Sequence, residues 1–68
     1  MKEQIQKNFT YYSPSAVQVE KYDELRQQAK EFAQTLDQLC PNSREKSLAI
    51  TKLEEVVMWA NASIARNE

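Results

Sequence analysis

The chain predicts an all-α fold, in which a short N-terminal helix precedes a long antiparallel helical hairpin and the whole assembles as a homo-oligomer. Three observations predict it. Apolar residues recur at steps of three and four through two long segments, the spacing that lines one face of a helix. Glycine, which tight sheet hairpins need for positive φ, is absent, and the two prolines fall between the periodic segments. With 68 residues, one cysteine and no histidine, the chain has neither the length nor the staples that hold a small monomer together.

Residues 1 to 9 carry Ile5 and Phe9 at i and i+4 among lysines and glutamines, enough for a short helix that must lean on something larger. The stretch Thr10 to Ser15 ends it. Pro14 disfavours helical geometry at Ser13 and itself suits the first position of a new helix, so Ser13 is the expected N-cap.

From there to about Leu39, the positions Tyr22, Leu25, Ala29, Phe32, Leu36 and Leu39 alternate steps of three and four. That 3.5-residue spacing suits a long helix packed at a shallow angle against a partner. Val17 and Val19 extend its apolar surface. The break Cys40-Pro41-Asn42-Ser43 stops this helix and starts the next, with Asn42 or Ser43 as N-cap and Glu45 three residues after Asn42 in a capping-box relation. A connection this short forces an antiparallel hairpin.

The second long helix, Ser43 to Asn67, packs through Ile50, Leu53, Val57, Ala60 and Ile64. It also carries Leu48, Val56, Trp59, Ala62 and Ala65, spread around its circumference. Two helices cannot cover all of these. Burying a large apolar side chain is worth roughly 1.5–3 kcal/mol, so several together support a subunit interface. A core shared with residues 1 to 9 is the plainer alternative, though nine residues offer little cover. Residues 1–68 form a single domain without internal linkers.

Composition excludes several functions. Nine Lys+Arg against ten Asp+Glu give a net charge of −1, so the bulk cationic field of a non-specific nucleic-acid binder is missing. Without glycine there is no phosphate-binding loop of the P-loop or dinucleotide type. Without histidine, and with Cys40 beside an apolar run, the usual groups for neutral-pH catalysis and for a His/Cys metal cage are absent. The expectation is a binder, not an enzyme, with no cofactor, no metal and no catalytic residue. No run approaches the ~20 apolar residues of a membrane span, and MKEQIQKNF lacks the apolar centre of a signal peptide. A cytoplasmic location follows as an expectation, with Cys40 a small hydrophobe and the sequons at Asn8 and Asn61 chance matches.

Two polar groups remain as candidate sites. Arg44, Lys46, Ser47 and Thr51 crowd a helix start, where free amides and the positive end of the dipole favour an anion and leave cations misplaced. A bound phosphate repairs that misfit; solvated cations and a hydroxyl-filled helix contact are the alternative. The row Arg44, Ser47, Thr51, Glu54, Met58 and Asn61 again steps by three and four, as one face. Tyr11 and Tyr12 sit at the bend before the first long helix, and Arg26 lies about three turns into it. An aromatic there stacks on a nucleobase while a guanidinium takes phosphate, one subunit's Tyr meeting another's Arg. Ordinary packing of the tyrosines over the hairpin competes with this.

Tyr11-Tyr12-Ser13-Pro14, then Tyr22-Asp23-Glu24-Leu25-Arg26, then SREKSLAITKLEEVVMWANASIARN together resemble the phage anti-CBASS proteins of the second type, whose helical hairpin domain is shared with a phage anti-Thoeris protein. The similarity covers nearly the whole chain and is densest over Ser43 to Asn67, at Arg44-Glu45, Ala49, Thr51, Leu53-Glu54-Glu55 and Met58-Trp59-Ala60.

The resemblance implies a sponge, usually a homohexamer, in the cytoplasm of the infected bacterial host. Such proteins capture cyclic oligonucleotide messengers without cleaving them and so block activation of CBASS effectors. It implies a cyclic dinucleotide site, for ligands such as cyclic GMP-AMP, with Tyr11, Tyr12 and Arg26. For cyclic trinucleotides such as cyclic tri-AMP it implies a second site with Arg44, Ser47 and Thr51. Where the family pattern has Tyr then His before the proline, this chain has Tyr11 then Tyr12, which leaves either ring as the stacking one. Self and cyclic nucleotides are thus the implied partners, with no DNA or RNA polymer and no membrane. The competing class is a helical-hairpin interaction protein that docks a larger protein through its spare apolar face. A DNA-binding helix-turn-helix is disfavoured by the near-neutral charge and the length of the helices.

Overall fold

A computed structural model describes residues 1–68 as three helices and no strand: α1 (Lys2–Asn8), α2 (Ala16–Leu39) and α3 (Arg44–Asn67). The two long helices form the expected hairpin. Ser15, not Ser13, caps α2: the Gln18 N–H donates to Ser15 Oγ at 3.2 Å, and the Ser15 N–H donates to Gln18 Oε1 at 3.0 Å. This reciprocal box satisfies two donors. A start at Pro14 puts Ala16 three residues after Ser13, and alanine has no side chain to return the bond.

At the turn, Ser43 caps α3 by accepting from the Lys46 N–H at 3.1 Å, and Ser43 Oγ donates to the Pro41 carbonyl at 3.1 Å. Glu45 does not complete a box with Asn42. Lys46 Nζ donates to Asn42 Oδ1 and to the Asp37 carbonyl, each at 3.0 Å, and lies 2.7 Å from Asp37 Oδ1. Its side chain is only 12% exposed. The ammonium therefore neutralises the C-terminal end of α2, where a cation belongs. It staples both limbs of the turn.

The seam between the helices takes Ile50, Leu53, Val57, Ala60 and Ile64 from α3, all half-buried as the spacing predicts. On α2 the seam is Gln18, Tyr22, Leu25, Ala29, Ala33, Leu36 and Cys40. Phe32 and Leu39 fall outside it and stay exposed. Steps of four, three, four, four, three and four average close to the 3.6 of a straight helix, so the 3.5-residue supercoil reading of this segment is corrected.

No residue is fully buried. The chain measures 44 × 29 × 12 Å, and 12 Å is about one helix diameter. Nothing lies over either broad face of the hairpin. The short helix α1 does not close it either, because Ile5 and Phe9 remain exposed. Polar bonds hold α1 instead: Lys7 Nζ donates to Asn67 Oδ1 at 2.7 Å, the Tyr12 hydroxyl donates to the Lys7 carbonyl at 3.0 Å, and Thr10 Oγ1 donates to the Gln6 carbonyl. Leu48, Val56 and Trp59 thus stay about half or more exposed within the chain. No helix is long and apolar enough to cross a membrane.

Candidate functional site

Helical periodicity gives the hairpin two unlike sides. On the first, Arg26 projects from α2 one turn before Lys30, and Glu54 and Asn61 project from α3. Between them runs a groove of about 410 Å³ lined by Arg26, Ala29, Lys30, Ala33, Ile50, Leu53, Glu54 and Val57. A second depression, about 280 Å³, continues past Arg26 to Tyr22, Asn61, Ala62 and Ala65. A third, about 430 Å³, adjoins the first at Ile50 and holds Asn42, Ser43, Lys46 and Ser47 at the turn. The larger two fall in the range of roughly 300–1,000 Å³ usual for ligand clefts.

Arg26 is available. Its Nη1 pairs with Asp23 Oδ1 at 3.1 Å within the same helix, with both side chains about two-thirds exposed. Such a pair is worth at most about 1 kcal/mol, less than a charge-assisted bond to phosphate. Asn61 adds a different signal: its Oδ1 is buried with no hydrogen-bond partner. An orphaned acceptor costs about 1–3 kcal/mol, and turning the amide toward a donor in the groove relieves that cost.

Tyr11 is 85% exposed and lines neither groove that contains Arg26. Tyr12 is half-buried, bonded to α1 and placed in a separate hollow with Lys2, Glu3, Gln6 and Lys7. One chain therefore does not bring the tyrosines to its own Arg26.

The cluster at the start of α3 divides. Lys46, grouped with the anion-binding residues on spacing, is committed to the turn, and its own N–H is capped by Ser43. The Ser47 N–H donates to the Ser43 carbonyl at 3.2 Å. What remains for an anion is the amides of Arg44 and Glu45 with the row Arg44, Ser47 and Thr51. Arg44 and Thr51 are exposed, Arg44 has no ion pair, and Ser47 lines the turn cavity. Of this row only Ser47 lines a cavity that meets the Arg26 groove, at Ile50; Arg44 and Thr51 line neither.

Sequence reasoning singled out neither Lys30, Glu54 nor Asn61 as site residues. The signal was present, since Glu54 and Asn61 continue the row from Arg44 and Lys30 follows Arg26 by four. The opposite side of the hairpin is apolar. Leu25, Gln28, Phe32, Val56 and Ala60 border a depression of about 300 Å³, with Phe32, Val56 and Trp59 each more than half exposed.

A family model described as "Acb2/Tad1, hairpin domain" matches residues 1–65. No curated protein and no solved structure matches the chain.

Proposed function

Since the chain belongs to the Acb2/Tad1 hairpin family, the phage anti-CBASS and anti-Thoeris sponge proteins, we propose that it sequesters cyclic oligonucleotides, intact, as a homo-oligomer in the cytoplasm of the infected host. The observation that carries this reading is Arg26 on the rim of an apolar groove between α2 and α3. Apolar floor and cationic rim suit a ligand that is part flat ring and part phosphate.

Cyclic dinucleotides take the Arg26 groove. Tyr11 or Tyr12 of a neighbouring copy stacks on a base, because each is too far removed within its own chain to line that groove. Cyclic trinucleotides take the row Arg44, Ser47 and Thr51, repeated by symmetry around a ring of three phosphates. Binding without cleavage is part of this reading. Phosphodiester hydrolysis needs a positioned acid and base or a metal, and the chain has no histidine.

Melting curves with cyclic GMP-AMP and with cyclic tri-AMP test the reading. A ligand bound only by the folded state stabilises it by about 2.7 kcal/mol at a hundredfold excess over Kd, so Tm should rise with either compound. No shift with either would contradict it and favour the hairpin as a docking module, a reading supported by the uncovered Phe32, Val56 and Trp59.

A further inference from the structure

Glu54 faces the Arg26 groove and has no partner of its own. It lines that groove opposite Arg26 and Lys30, yet its carboxylate makes no ion pair in the chain, while its neighbour Glu55 pairs with Lys52 at 3.0 Å. A free carboxylate beside an anionic ligand repels it. The exception is a ligand that presents hydrogen-bond donors to that carboxylate.

Resting on the reading of the groove as a cyclic dinucleotide site, we infer that Glu54 is a specificity-determining residue that reads the Watson–Crick edge of guanine. An ionised carboxylate only accepts hydrogen bonds. Guanine offers it two adjacent donors, N1–H and the N2 amino group. Adenine offers one amino group beside the bare N1 lone pair, which the carboxylate repels. The apolar floor of Ala29, Ala33, Ile50 and Val57 takes the face of the base, and Arg26 and Lys30 across the groove take phosphate. The acceptors of Glu54 are thereby satisfied by hydrogen bonds from the base, and its lack of a donor selects which base enters.

Titration calorimetry with cyclic di-GMP and cyclic di-AMP tests this on the parent chain, Glu54→Gln, Glu54→Ala and Arg26→Ala, each checked for helical content and oligomeric mass. The parent should prefer cyclic di-GMP. Glu54→Gln supplies both an acceptor and a donor, the pair that matches adenine, so the preference ratio should shift toward cyclic di-AMP by about tenfold or more. Glu54→Ala should lose the preference without reversing it. An unchanged ratio in Glu54→Gln, with Arg26→Ala losing both ligands, would overturn the guanine assignment while leaving the sponge reading standing. Equal weakening of both ligands together with a fall in oligomeric mass would also overturn it, placing Glu54 against a cation of a second copy. If the parent bound neither compound, the cyclic dinucleotide reading and the inference would fall together.

Discussion

The two sides of the hairpin are built on the same seam and differ in what borders it. One side edges Leu53 and Val57 with Arg26, Lys30 and Glu54; the other edges the same two residues with Leu25, Phe32 and Val56. Charged rims keep a groove hydrated and selective for an anionic guest, whereas an apolar rim gains most by being covered. In a chain with no buried residue, the contrast fits the proposed division of labour, in which the apolar side is covered by another copy and the charged side is left to the ligand.

Breaking the apolar side should have the largest effect. With the apolar side as the proposed subunit interface, Phe32→Asp places a charge in it, at a cost of several kcal/mol per copy. Light scattering on the parent should give several times 7.9 kDa, and the variant should fall toward the single-chain mass with a lower melting point. An unaltered mass would show that this side is not the interface.

Breaking the charged side should leave the mass intact and remove binding. Arg26→Ala loses a charge-assisted contact of about 1.5–3 kcal/mol, or roughly ten- to a hundredfold in cyclic dinucleotide affinity. Tyr11→Ala loses stacking of about 1–3 kcal/mol, and the same substitution at Tyr12 decides which ring stacks. Calorimetry on mass-checked variants separates these from assembly defects. Arg44→Ala and Thr51→Ala should weaken cyclic trinucleotide binding and spare the dinucleotide; the reverse pattern would undo the division into two sites.

The smallest effect sharpens the comparison. Asp23→Asn releases Arg26 from a pair worth at most about 1 kcal/mol. Stability should hardly change, and cyclic dinucleotide affinity should rise by a few-fold at most, less so in high salt. A loss of affinity would mean that Asp23 holds Arg26 in its binding pose.

Helix number, hairpin topology and the α3 seam were legible in the sequence because periodicity and proline breaks encode them locally. The start of α2 was not, because choosing between Ser13 and Ser15 depends on which residue returns a bond to the cap, and Gln18 does. Spacing alone puts Phe32 in the seam, since steps of three and four fit both a supercoiled and a straight helix; packing chose the straight one. For a related reason the sequence hides the role of Lys46. Seen along α3 alone it is a cation at the wrong end, and only the fold brings the C-terminal end of α2 to it. Glu54 and Asn61 were visible as a row but acquire meaning only opposite Arg26, across a groove that no single helix contains.

Capture of an intact ligand tests the central claim most directly. The chain is incubated with a mixture of cyclic di- and trinucleotides, separated from free ligand by gel filtration and denatured, and the released compounds are identified by mass spectrometry. The account predicts cyclic, uncleaved nucleotide carried in the oligomer fraction and lost from that fraction in Arg26→Ala for the dinucleotides. Linear products would make the chain an enzyme. An empty oligomer fraction would contradict sequestration and leave the hairpin as a docking module.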